Sequence, residues 1–378
     1  MKFLVMSVTA GEGHNITASA VKEGFEHLGH ECQILDTYDY INRLLAKSLD
    51  KGYLSATKYL ESWYAKGYKW FEDIGPESDF RTVFRATHAV VAKKIVSYIY
   101  DYAPDAIFVT HSFAASLLDV IREKYIIGCK IYGIVTDFCM HPFWEEATHI
   151  DYVVVANELM EHQARKKGFD KEQILPFGIP IKLKFDKKCS DEEKRQFKKK
   201  HGFDENLLTV IVMGGSMGFG NIENSISMLD SLDLDMQIGV ICGKNQKIFN
   251  SLSEMTFKKN VRVFGYIDFV DELMECADVF VSKPGGLTTS EALAKGLAMV
   301  IVNPIPGIED RNADFLCNNG VAMRVTDAYD LPDIIFQYFR FPEKLENMRK
   351  NIAIIAKPSS TLELCRFAEK RVIKDRLL

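Results

Sequence analysis

No run of about 18 apolar residues occurs in this chain of 378 residues, so no segment is suited to crossing a bilayer as a helix. A C-x-x-C pair is also lacking. The eight cysteines (Cys32, Cys129, Cys139, Cys189, Cys242, Cys276, Cys317 and Cys365) are scattered, which signals neither a zinc site nor a disulfide framework. Reduced, mostly buried thiols in a cytosol fit that spacing. Charge of one sign is scarce too. A formal net charge of −5 gives no global case for nucleic acid. The apolar stretch Met1 to Ser7 is too short for a signal peptide and runs straight into a glycine loop. There is no repeat, no low-complexity tract and no Gly-Lys-Ser/Thr of a P-loop.

What remains is an ordinary soluble balance, 47% hydrophobic and 26% charged, in a chain long enough for two cores. Its first half alternates short apolar runs with helix-period segments. Strands are expected at Lys2–Ser7, Glu31–Leu35, Ala106–Thr110, Ile131–Val135 and Asp151–Ala156, with a helix from about Thr17 to Leu28. Continuous apolar runs of this length suit a parallel sheet buried on both faces. Between Tyr38 and Tyr102 lies a stretch rich in aromatic and basic residues, read as inserted helices. Gly178-Ile179-Pro180 closes the first half and a Lys-rich stretch follows. Strands then resume at Leu207–Met213, Met236–Ile241, Val261–Phe264, Val279–Ser282 and Met299–Val302. The expectation is α/β, with two Rossmann-like β/α/β domains. They are placed at 1–180 and 207–357, with a linker at 181–206 and a last helix at 358–378 packing back across the join.

Ligands of open α/β sheets bind beyond the carboxyl ends of the strands, so the segments that follow each strand carry the chemistry. Gly214-Gly215-Ser216-Met217-Gly218-Phe219-Gly220 joins a strand to a helix. Glycines admit a phosphate close to the backbone, and a helix start offers unpaired N–H groups. A tight turn without a ligand is the plainer reading. Lys283-Pro284-Gly285-Gly286-Leu287-Thr288-Thr289-Ser290-Glu291 makes the same kind of join. Thr288-x-x-Glu291 matches a capping box; alternatively Glu291 accepts from two ribose hydroxyls. Glu309 and Asp310, after Pro306-Gly307, suit either sugar hydroxyls or helix capping. In the first half, Gly11-Glu12-Gly13-His14 follows the first strand, and His14 is either a loop cap or a catalytic base. Asp137 and His141 form an acid–imidazole pair or cap a turn. His111, at one more strand end, is read as structural.

These loops resemble the family of monogalactosyldiacylglycerol synthases and processive diacylglycerol glucosyltransferases, and more distantly the MurG-type transferases. The pieces that carry the resemblance are Gly11-Glu12-Gly13-His14, Thr136-Asp137-x-x-x-His141-Pro142-x-Trp144, Val154 to Glu158, Gly178-Ile179-Pro180, Gly214-Gly215-Ser216-x-Gly218, Cys242 to Asn245 and Pro284-Gly285-Gly286-x-Thr288-x-x-Glu291-Ala292. The series in this order covers most of the chain.

The resemblance implies a GT-B fold with two domains facing a cleft, inversion at the anomeric carbon and no required metal or cofactor. The donor substrate would be UDP-glucose or UDP-galactose. The acceptor would be diacylglycerol or a related lipid, at the cytoplasmic membrane surface. It places Gly214, Gly215, Ser216 and Gly218 by the donor phosphates, together with Gly285, Gly286 and Thr288. Glu291 would hold the ribose, Phe264 and Tyr266 would lie near uracil, and Glu309 with Asp310 near the sugar. His14 would sit against the reacting centre, with Asp137 the second candidate for the base. Gly13, His141 and Trp144 would serve the acceptor. Trp63 and Trp70, with Arg43, Lys47, Lys51, Lys58, Lys66 and Lys69, could meet an anionic membrane; an ordinary helical subdomain is the alternative. Two departures stand out. Glu12 replaces a third glycine of the plant members, and Ile308 replaces the glutamine of the usual Pro-Gly-Gln-Glu. The second leaves the sugar open. A MurG-like transfer to a polyprenyl acceptor and a UDP-sugar epimerase are the rival functions.

Overall fold

The computed structural model describes residues 1–9, 12–41, 79–214 and 222–377, with residues 79–90 described as backbone only. The chain divides into two compact units. One comprises Met1–Leu183, Pro306–Ile308 and Ser359–Leu378, and the other Lys184–Ile305 and Glu309–Pro358.

The first unit is built on six parallel strands: β1 (Lys2–Ser7), β2 (Glu31–Asp36), β3 (Ala106–Val109), β4 (Lys130–Ile134), β5 (Tyr152–Val154) and β6 (Ile174–Leu175). Their spatial order is β2-β1-β3-β4-β5-β6. β3 is buried along its whole length, as a strand covered on both faces must be. Phe108, Tyr132 and Tyr152 lie side by side on β3, β4 and β5. Their rings stack at 4.7 and 4.9 Å between centroids. Such cross-strand aromatic pairs add packing energy to the ladder.

Helix α1 (Glu12–His27) begins directly after the first loop, earlier than the expected Thr17. The last helix, α12 (Ser360–Leu377), closes the same unit. Its Phe367 meets Tyr132 and Tyr152 edge-on. Ser360 Oγ donates to the Ile179 carbonyl at 2.9 Å and Thr361 Oγ1 to that of Ile181 at 2.6 Å. Gly24 lets α1 come this close. A Cβ there would stand 2.7 Å from Thr361 Cγ2 and 2.8 Å from Cys365 Sγ.

Helix α2 (Asp79–Tyr102) leads into β3, and α3 (Ser112–Lys124) follows it. The expected membrane residues Trp63 and Trp70, with the basic residues around them, lie outside the described residues. Trp144 does not face an acceptor or a membrane. It is 3% exposed, and its ring presses on Gly133 of β4, where a Cβ would stand 2.7 Å from Trp144 Cζ3. The large ring fills the space the glycine leaves, so Trp144 belongs to the core.

The second unit carries β7 (Leu208–Met213), β8 (Met236–Ile241), β9 (Val261–Phe264), β10 (Val279–Ser282), β11 (Ala298–Ile301) and β12 (Ala322–Arg324). All are parallel, in the order β12-β11-β10-β7-β8-β9. This is the doubly wound Rossmann order, with its switch point between β7 and β10.

The stretch expected as a linker holds helix α4 (Asp191–Lys200), started by a Ser190–Glu193 capping box. Its lysines are engaged: Lys194 with Glu275 at 3.5 Å and Lys200 with Glu272 at 2.6 Å. Both acids belong to α7 (Val270–Cys276). Between these come α5 (Ile222–Ser231) and α6 (Gln246–Glu254). Helices α8 (Gly286–Ala294), α9 (Ile308–Asn318), α10 (Leu331–Arg340) and α11 (Pro342–Ile355) complete the unit. No helix among the described residues is long and apolar enough to cross a membrane.

Candidate active site

Each unit gathers its polar groups at the carboxyl ends of strands flanking its own switch point. In the second unit, β7 ends at Met213 and β10 at Ser282. Ser282 Oγ donates to the Met213 carbonyl at 2.9 Å, which ties the two strand ends together. Gly214 follows β7 and is buried. Gly215, Ser216 and Gly218 lie outside the described residues.

After β10, Gly285 is the N-cap of α8 and contributes no side chain to it. The first N–H groups of a helix lack intrahelical partners and form an anion site when glycine leaves the approach open. Thr288 falls inside the first turn of α8 and Glu291 in the second. The capping-box reading therefore fails, because the helix starts at Gly286. Glu291 is 8% exposed. A carboxylate that deep is costly unless it is engaged.

Helix α9 braces this loop. Asn312, fully buried, donates through Nδ2 to the Pro284 carbonyl at 2.9 Å. Glu309 Oε2 accepts from the Ile305 N–H at 2.6 Å and stands 3.8 Å from Lys283 Nζ. A Cβ on Gly285 would lie 3.9 Å from Glu309 Oε1, so this acid borders the glycine pair. Asp310 instead pairs with Arg324 of β12 at 2.8 Å.

The aromatic pair expected near a base divides. Tyr266 is 67% exposed, with Lys244 Nζ 5.5 Å from its ring centroid. The Phe264 ring is committed to a cluster with His201, Phe203 and Phe269. The Phe264 carbonyl accepts from the Cys242 N–H at 2.8 Å.

In the first unit the switch point lies between β1 and β3. His14, in the first turn of α1 and half-buried, crosses it: Nδ1 lies 2.6 Å from the Thr110 carbonyl oxygen just beyond β3. A carbonyl only accepts, so Nδ1 carries the hydrogen, and Nε2 is the unprotonated nitrogen of the neutral ring. Thr136 Oγ1, beyond β4, stands 3.3 Å from the same Nδ1. Burial lowers the His14 pKa, and the Thr110 carbonyl offsets part of that. The ring is thus a neutral imidazole at physiological pH.

Ser7 donates to Asn15 Oδ1 at 2.7 Å and receives the Thr110 hydroxyl at 3.2 Å, so the start of α1 is tied to the ends of β1 and β3 beside His14. Among the described residues nothing lies within 4 Å of where a Cβ on Gly13 would stand. Asp137 follows Thr136 and is half-buried. His141 caps the short helical turn Pro142–Ala147, its Nδ1 accepting from the Phe143 N–H at 3.2 Å.

From sequence Thr110 and Asn312 were given no role, and Thr136 stood only as a residue of a motif. Their roles are long-range hydrogen bonds, for which the only local signal is a position at a strand end or helix start. Among the described residues, one group of potential metal ligands, Asp119, Glu123 and His149, comes together. There Asp119 already accepts from the His149 N–H at 2.8 Å and faces His149 Nδ1 at 3.2 Å.

MurG from Acinetobacter baumannii aligns with 98% of this chain and 99% of its own, at a TM-score of 0.65 and 16% identity. The fold is that of the GT-B class. Residues 14–181 match the monogalactosyldiacylglycerol (MGDG) synthase model, and residues 209–362 the glycosyltransferase family 28 C-terminal domain.

The processive diacylglycerol beta-glucosyltransferase of Bacillus pumilus is 28% identical over 93% of this chain and 90% of its own length. Monogalactosyldiacylglycerol synthase 1 of Arabidopsis thaliana is 27% identical over 100% of this chain and 72% of its own. The chain belongs to this family of MGDG synthases and processive diacylglycerol glucosyltransferases, glycolipid-forming enzymes of glycosyltransferase family 28 that use UDP-sugar donors.

Proposed function

We propose that the protein transfers a hexose, glucose or galactose, from its UDP-sugar to a diacylglycerol-type acceptor at a membrane surface, with inversion at the anomeric carbon. One observation carries the reading. Gly214, directly after β7, and the Gly285–Gly286 start of α8 flank the switch point of the second sheet, at strand ends joined by the Ser282–Met213 hydrogen bond. That is where a doubly wound sheet takes a nucleotide.

In this reading the diphosphate lies against the N–H groups at the start of α8. Their partial positive charge stabilises the leaving UDP as the glycosidic bond breaks. Glu291 accepts from the ribose hydroxyls. Glu309, beside Gly285, accepts from the sugar, and Asp310, held by Arg324, stands next to it in the first turn of α9. Tyr266 stacks on the uracil, with Phe264 two residues before it at the end of β9.

His14 is the base. Its Nε2 takes the acceptor hydroxyl's proton while the oxygen attacks the anomeric carbon. The Thr110 carbonyl, on the far side of the ring, then stabilises the imidazolium. Asp137 is the second candidate for that role, and Gly13 leaves room for the acceptor. The membrane contact rests on the aromatic and basic residues of the stretch that includes Trp63 and Trp70.

The test is product analysis with labelled UDP-glucose and UDP-galactose, with and without diacylglycerol in anionic vesicles. A labelled glycolipid that requires diacylglycerol is expected. A changed sugar or free UDP formed equally without acceptor, as an epimerase would give, overturns the reading.

A further inference from the structure

Three imidazoles meet at the top of the first sheet. His14 comes from α1, His111 from the end of β3 and His141 from the loop after β4. The His14 and His111 rings are 4.7 Å apart between centroids and set edge to face. His111 has extended backbone and is the N-cap of α3, its Nδ1 accepting from the Phe113 N–H at 3.0 Å. His141 caps its own turn in the same way.

These caps fix tautomers. An Nδ1 that accepts a backbone N–H holds a lone pair, so the single ring proton sits on Nε2. Protonating such a ring would turn Nδ1 into a donor facing another donor. The cap would break, and a helix-start N–H would be left unpaired. His14 is arranged the other way: its Nδ1 donates to Thr110, so a proton added at Nε2 breaks nothing.

We propose that His111 is a positioning residue for this reaction: by capping α3 through Nδ1 it is held as a neutral imidazole against His14, so the acceptor's proton settles on His14 Nε2. This rests on the reading of His14 as the base and adds to it what keeps the neighbouring ring uncharged. Burial puts the His111 pKa well below the ordinary imidazole value, and the titratable groups that face it among the described residues, His14 and His141, both act to keep it neutral. A charged ring 4.7 Å away would oppose the imidazolium that forms on His14. A smaller, polar side chain in its place would admit water and weaken the desolvation that lowers the His14 pKa.

The experiment has two arms on the full-length protein. The first is histidine-selective nitrogen NMR over about pH 5.5 to 8, the range in which an ordinary imidazole titrates. Signals are assigned with His111→Asn, His141→Asn and His14→Ala. His111 is expected to keep its proton on Nε2 with no titration across the range. A proton on Nδ1 of His111, or titration within the range, overturns the proposal.

The second arm is kinetic. His111→Asn retains an N-cap acceptor, since asparagine caps well, but loses the ring. The acid limb of its kcat/KM profile is expected to move to higher pH. Its kcat should fall on the order of tenfold to a hundredfold, with the donor KM unchanged. A fall in kcat with an unmoved acid limb means a purely structural role and overturns it. His14→Ala separates the two ideas. Full activity there defeats the base assignment, while the tautomer of His111 is still read directly.

Discussion

The Nδ1 of His14 and the carbonyl oxygen of Thr110 are 2.6 Å apart, though 96 residues separate them in the chain. This contact joins the first turn of α1 to the end of β3 and decides which nitrogen of His14 can act as a base. Removing the ring by His14→Ala is expected to lower kcat by about 10²- to 10⁴-fold, the usual worth of a general base. Donor KM should change little, because the donor loops belong to the other unit. Steady-state kinetics with saturating acceptor checks this. Undiminished kcat, with loss instead in Asp137→Asn, would move the base to Asp137.

The same buried histidines set a pH dependence of stability. Burial lowers the pKa of His14 and, further, that of His111 below about 6.5, the unfolded value. With the folded values depressed, the unfolded chain takes up protons first as the pH falls. The stability these groups contribute is present above about pH 6.5 and is lost as the pH falls toward their folded values. Denaturant midpoints should decline between about pH 7 and 5.5, and less steeply in His111→Asn. An identical slope in wild type and variant contradicts this.

Gly285 separates a tight turn from a ligand site. Among the described residues an added Cβ meets only Glu309 Oε1, at 3.9 Å, and the backbone φ of −65° suits any residue. Gly285→Ala should therefore leave thermal stability nearly unchanged while covering the helix start. Calorimetric titration with UDP is expected to show affinity reduced by about tenfold or more, one hydrogen bond to a charged group being worth ~1.5–3 kcal/mol. Equal affinity would leave the pair as turn residues.

Glu291 and Asn312 should fail in different ways. Glu291→Gln keeps the volume and turns one acceptor into a donor, so donor KM should rise on the order of tenfold with the fold intact. Asn312→Ala leaves the Pro284 carbonyl unmet in the core, so unfolding should become easier by about 1–3 kcal/mol. Its donor KM should rise as well, because the loop it braces moves. Thermal melts beside donor-saturation curves tell the two apart.

Much of this architecture was legible in the chain. Strand positions such as Met236–Ile241 and Val279–Ser282 were expected to the residue, because apolar runs bounded by glycine loops read clearly in parallel sheets. Short edge strands were not. β12 spans three residues, Ala322–Arg324, too few for any periodicity to register. The start of α1 at Glu12 was hidden because two glycines beside it weaken local helix preference.

The glycine loops announced themselves by composition, but what braces them did not. Asn312 meets Pro284 from 28 residues away, and His14 meets Thr110 across the sheet. Trp144 shows the reverse error. It sits among the motif residues in the helical turn Pro142–Ala147, yet its ring packs onto Gly133, a partner on a strand that no local pattern connects to it.

The account stands or falls on where the donor binds. A crystal structure of the protein with UDP tests it most directly. The diphosphate should lie on the backbone N–H groups at Gly214 and at Gly285–Gly286, with the ribose hydroxyls on Glu291. UDP bound elsewhere, or its diphosphate turned away from the start of α8, would contradict it.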